Sequence, residues 1–143
     1  MNTVRSALSA FFISVLLTSC FDSSPKDGPN GIGLDHGNKW QLSNQTIVTV
    51  SDMSAFFLST NPLLGKGDDL KETGSTLRTQ MTPLFAGCGV GGATHDEYHV
   101  YLAGLIPAVI ALEKSGQLDD DKRVKYYLGK FGKYFESNKP TKT

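Results

Sequence analysis

The chain has 143 residues, 14 basic and 14 acidic side chains, and an apolar fraction of 39%. That length suits one small domain, and the balanced charge with no basic run excludes a nucleic-acid or anionic-lipid surface built on electrostatics. Only two cysteines are present, Cys20 and Cys88, so no disulfide framework of several bridges can support the fold.

The first nineteen residues read as a targeting segment. Residues 1–5 carry one positive side chain, Arg5, and residues 7–17 form an uncharged run rich in Leu, Phe, Ile and Val. This run is shorter than the roughly 20 apolar residues a permanent membrane span needs. It ends in Leu17-Thr18-Ser19-Cys20, which resembles the lipobox of bacterial lipoproteins. The resemblance implies cleavage before Cys20, acylation of its thiol (palmitate among the chains) and membrane anchoring. Phe21 follows the cysteine where an Asp would signal inner-membrane retention, so the expected address is the outer membrane, facing the periplasm. The mature chain would then carry 13 basic and 14 acidic side chains, and Cys88 would be an unpaired thiol in an oxidising compartment. If Cys20 is not lipidated, a Cys20–Cys88 disulfide is the alternative.

Residues 20–39 contain Ser-Ser-Pro, Gly-Pro-Asn-Gly and further glycines with few apolar residues, which predicts a flexible tether. The folded domain is expected over residues 40–143. A first helix is predicted over Asn44–Ser59, with Ile47, Val50, Ser54 and Phe57 along one side and Met53 and Phe56 beside them; Asn61-Pro62 stops it. Its Thr-Ile-Val-Thr-Val opening is also strand material. A second helix starts near Asp68-Asp69, repeating Leu70, Leu77 and Leu84 alongside Gly74, Met81 and Cys88. Pro83 should kink or break it, and the glycines at 87, 89, 91 and 92 end it.

In the third predicted helix, Thr94-His95-Asp96-Glu97 matches a capping box. Tyr98, Leu102, Leu105, Val109 and Leu112 form its apolar stripe, Pro107 next to Gly104 should bend it, and Ser115-Gly116 closes it. The fourth, from about 119 to 137, opens with three aspartates and carries Val124, Tyr127, Leu128, Phe131, Tyr134 and Phe135 on one broad face. Short connections between amphipathic helices predict an all-α fold, an antiparallel four-helix bundle.

The chemistry-bearing stretch is 81–99. His95 and His99 stand at the i, i+4 spacing that lets two imidazoles reach one metal ion, about 20° and 60° from Leu102 around the helix. Cys88 lies seven residues before His95 across the glycine loop, and Met81 two turns further back in the same register. Thiolate, two imidazoles and a thioether make a soft donor set suited to copper, or to zinc if water replaces Met81. The opposing reading makes Cys88 and Met81 core filler and the histidines partners of Asp96 or Glu97. Non-covalent haem between His99 and Met53 or Met81 is a further option, while the absence of CxxCH excludes c-type haem. Cys88, a histidine and Asp96 outline a nucleophile, base and orienter, but no motif surrounds them and no enzyme activity is expected.

Residues 34–40, Leu-Asp-His-Gly-Asn-Lys-Trp, followed by Cys88, Gly91 and residues 95–102, resemble a group of uncharacterised bacterial envelope proteins with an N-terminal Gly-x-Lys-Trp and a later Cys-x-Met-x-Gly-x-x-His-x-x-x-His. Val90 stands here at the methionine position, which removes one soft donor. The resemblance implies that the corner is a site without naming its chemistry. The expected function is therefore a membrane-anchored, periplasm-facing lipoprotein binding a small ligand, a metal ion, at Cys88, His95, His99 and Met81. The alternative is a non-catalytic accessory lipoprotein of an envelope complex in which the corner is purely structural.

Overall fold

The computed structural model describes residues 26–60, 67–86 and 91–138. Residues 17–20, expected to form a lipobox, and Cys88 lie outside them. The fold is mostly helical, with a small parallel strand pair at one end: β1 (Trp40–Leu42), α1 (Asn44–Ser59), α2 (Gly67–Gln80), α3 (Thr82–Ala86), α4 (Gly92–Ser115), α5 (Leu118–Tyr134) and β2 (Phe135–Ser137). Among the described residues no helix is long and apolar enough to cross a membrane.

α1 begins where Ser43, in extended conformation, turns its Oγ to accept from the Thr46 amide at 3.2 Å. It buries Thr46, Val50, Met53 and Phe57 and ends at Thr60, whose amide donates to Phe57 O. α2 carries Asp68 and Asp69 in its first turn and buries Leu70, Thr73, Gly74 and Leu77. Pro83 has the expected effect. The helical ladder runs as far as Met81, whose amide donates to Leu77 O at 2.9 Å, and α3 restarts with Leu84 N donating to Met81 O at 3.0 Å.

α4 is the axis of the molecule, packing against α2 and α5. Tyr98, Tyr101, Leu102, Leu105, Ala108, Val109 and Leu112 are buried along it, so the expected stripe holds and Pro107 is accommodated inside a helix of 24 residues. Its end is also as expected. Gly116 takes the left-handed conformation (φ 60°) and its amide donates to Leu112 O at 2.9 Å. The capping box is not used, because α4 starts at Gly92, capped by Gly91 without a side-chain bond. Thr94 and Glu97 therefore fall inside the first turns of the helix, and Glu97 is released for other contacts.

The all-α expectation is corrected by the strands. β1 and β2 pair in parallel, Trp40 with Phe135, Gln41 with Glu136 and Leu42 with Ser137, and the Asn138 amide extends the ladder to Leu42 O. The fourth helix thus stops at Tyr134 rather than 137, because Phe135 turns to φ −126°, ψ 145°. Phe135 remains buried against Phe131, Tyr101 and Tyr98, with ring centroids 5.0, 5.6 and 6.1 Å away. These offset and edge-on aromatic contacts join α4, α5 and β2 in one cluster.

Most of the expected tether is also corrected. Residues 26–39 pack on the helices, with Ile32 fully buried. Asp27 accepts from Lys133 Nζ at 2.8 Å and from the Tyr134 hydroxyl at 2.9 Å. Asn30 donates to Val100 O at 3.1 Å and accepts from the Tyr127 hydroxyl at 2.8 Å. Lys39 Nζ reaches Gly132 O at 2.6 Å. Polar side chains bonding to helix backbone and hydroxyls fasten this segment, a mode that a count of apolar residues does not register.

The α2–α4 contact depends on Gly74. A Cβ there would lie 2.6 Å from Glu113 Cα and 2.9 Å from Leu112 C, so the two backbones touch where a side chain would stand. Gly74→Ala is expected to destabilise the fold by about 2 kcal/mol despite alanine's advantage of about 1 kcal/mol in a helix interior. Gly129→Ala, on the open side of α5, should show that advantage undiminished. Chemical denaturation of both variants reads the difference in sign.

Candidate functional site

α4 brings two of the four predicted ligands together. The His95 and His99 rings lie 4.2 Å apart between centroids, tilted by 48°. His95 is half-buried and His99 exposed, so the pair sits at the margin of the apolar stripe rather than within it. His95 Nδ1 is shut off from solvent and has no hydrogen-bond partner among the described residues. Tyr98, on the same turns of α4, is fully buried. Its ring meets His99 edge-on at 6.4 Å, and its hydroxyl points to Leu84 O at 3.5 Å, which ties α4 to α3.

Met81 is placed elsewhere in character. At 2% exposure it belongs to the apolar core together with Leu77 and Leu84, and its burial is accounted for by packing at the α2–α3 break. Met53, the other haem candidate, is fully buried on α1. Among the described residues no three His, Cys, Asp or Glu side chains cluster closely enough to hold a metal ion between them. The residues present therefore supply two imidazoles, an arrangement that fits a partial coordination shell for copper or zinc and needs a further donor to complete it.

A second arrangement was not legible in the sequence. Residues 35–38 form a tight turn in which the Asp35 and Asn38 amides donate to each other's carbonyls at 2.9 and 2.8 Å, with His36 at φ 50° and Gly37 at φ 88°. His36 Nδ1 pairs with Asp35 Oδ1 at 2.8 Å. Behind the turn, the Trp40 indole N–H donates to Gly33 O at 2.7 Å. This segment faces Ala93 and Glu97 of α4 across a cleft of about 240 Å³. Lys26 and Glu97, 71 positions apart in sequence, meet there at 3.4 Å. The Trp and the Asp-His turn were visible as residues, but only folding places them opposite Glu97.

Comparison of the chain with protein-family models, with curated proteins and with solved structures gave no match.

The wall of the cleft is secured by Asp27. Hydrogen bonds from Lys133 and Tyr134 hold its carboxyl below the ordinary carboxylate range, and the same contact raises the Lys133 ammonium. A carboxyl whose folded-state pKa is depressed stabilises the fold above its unfolded pKa, and that contribution is lost as pH falls through the lowered value. Asp27→Asn should therefore lower the melting temperature modestly at pH 7. The gap to the parent should narrow as the pH is lowered from 7 through the depressed value, where the parent carboxyl becomes protonated too. Thermal melts across that range check it.

Proposed function

We propose that this chain is an envelope lipoprotein, anchored through Cys20 at the outer membrane, that binds a copper or zinc ion through His95 and His99 with Cys88 as the third donor. The observation that carries the metal reading is the pairing of the two imidazoles 4.2 Å apart, with one ring nitrogen of His95 unpartnered among the described residues. Two histidines one turn apart on a helix present their nitrogens to one side, so modest side-chain rotation converts a ring contact into a chelate. A cysteine seven positions upstream across a glycine-rich segment supplies a soft donor from the chain leading into the same helix. The anchor rests on the lipobox-like Leu17-Thr18-Ser19-Cys20. The four longer helices are read as a bundle whose α4 presents the site to the periplasm.

In this role the protein contributes ligation rather than catalysis. A metal ion binds the unprotonated nitrogen of a neutral imidazole and requires a deprotonated thiol, so protons compete with it and occupancy should fall on acidification. Metal analysis of chain purified from membranes and equilibrated with Cu²⁺ or Zn²⁺ is expected to find one equivalent. The His95→Ala/His99→Ala double variant should lose it and Met81→Leu should retain it, since Met81 is enclosed in the core. Intact mass of the same preparation should show an acylated chain beginning at Cys20. Metal retained at full stoichiometry by the double variant would overturn the reading.

A further inference from the structure

We infer that the cleft between residues 26–40 and the first turns of α4 is a receptor for a small primary ammonium group carried on an apolar body, with Glu97 as its counter-ion. Leu34, Trp40 and Ala93 provide apolar walls, while Lys26, Asp35 and Glu97 provide the polar groups. The walls are held from behind. Trp40 is fixed by its bond to Gly33, and the segment before it by the Asp27 and Asn30 contacts to α4 and α5.

Glu97 is the chemical centre. Its side chain is only 15% exposed, and Oε2 is closed to solvent without any donor among the described residues. Oε1 is 3.4 Å from Lys26 Nζ, longer than the roughly 2.7–2.9 Å of a strong charge-assisted bond. An enclosed carboxylate oxygen lacking a donor is a cost that an incoming N–H group removes. An ammonium brings three donors and a full positive charge, and an indole ring attracts a cation more strongly than other aromatic rings do. Lys26, 68% exposed on a flexible stem, is the chain's own ammonium at this carboxylate and is readily displaced. Asp35 and Glu97 together disfavour an anionic ligand. This site is separate from the histidine pair, because Glu97 lies two residues from both His95 and His99, about 160° around the helix.

Trp40 is the sole tryptophan of the chain, so its emission reports the cleft directly. The experiment titrates the full chain, purified in detergent, with n-butylammonium chloride at constant ionic strength, using 1-butanol as the neutral isostere. A saturable change with butylammonium and none with butanol is expected. Glu97→Gln should weaken binding roughly thirtyfold or more, and Lys26→Gln should tighten it roughly threefold by removing the internal competitor. Ala93→Leu, which fills the cleft from an exposed helix position and leaves Glu97 in place, should abolish it and keeps the test valid if Glu97→Gln fails to fold. A wild-type titration without saturation, an equal response to butanol, or undiminished binding by a folded Glu97→Gln or Ala93→Leu protein would overturn the proposal.

Discussion

The close approach of α2 and α4 at Gly74 is the constraint on which the rest of the structure depends. Because position 74 lacks a side chain, the α2 backbone lies directly on the Leu112–Glu113 stretch of α4. Leu70, Leu77 and Leu112 close around that contact in the core, and the Arg78–Glu113 pair at 2.9 Å borders it at the surface. Fixing α4 on one side lets the other side receive α5, whose Val124, Leu128 and Phe131 are buried. Dispersion and apolar burial do most of this work, and they reward close packing steeply because interiors are as dense as organic crystals.

With α4 held in this way, its circumference is divided by chemistry. The stripe from Tyr98 to Leu112 faces the core, the histidine pair occupies one margin of its N-terminal turns, and Glu97 faces the folded-back segment 26–40. The two candidate sites thus share a helix without sharing residues. Glu97 can serve the cleft because α4 begins at Gly92 and no capping duty falls to its side chain. The aromatic cluster of Tyr98, Tyr101, Phe131 and Phe135 couples the histidine-bearing turns to the strand pair, so the site end of α4 rests on a rigid base.

The helices were legible because their signals are local. Asn44–Ser59 follows from its apolar spacing and the Asn61-Pro62 stop, and the end of α4 from Gly116, where left-handed geometry favours glycine. The break near Pro83 was equally legible, since a missing amide cannot continue a ladder. The strand pair was not. Three-residue strands carry no periodicity, and Phe135 satisfies a helical register with Phe131 as well as it fits the end of a strand. The packed segment 26–39 escaped detection because Asp27 and Asn30 act through hydrogen bonds to partners 70 to 107 positions away. The same separation hid the cleft. The i, i+4 histidines were readable from spacing alone, whereas the enclosure of Met81 in the core depends on where α3 restarts.

On the proposed reading, the imidazole pair on one side of α4 takes the metal ion and the cleft on the other side takes no part. An NMR titration of isotopically labelled chain with substoichiometric Cu²⁺ addresses it directly, because paramagnetic broadening falls off steeply with distance. The His95 and His99 imidazole resonances should vanish first while the Trp40 indole N–H and the Asp35–Asn38 turn persist. Broadening that begins at His36 and Asp35, or at the aspartates opening α5, would contradict that reading.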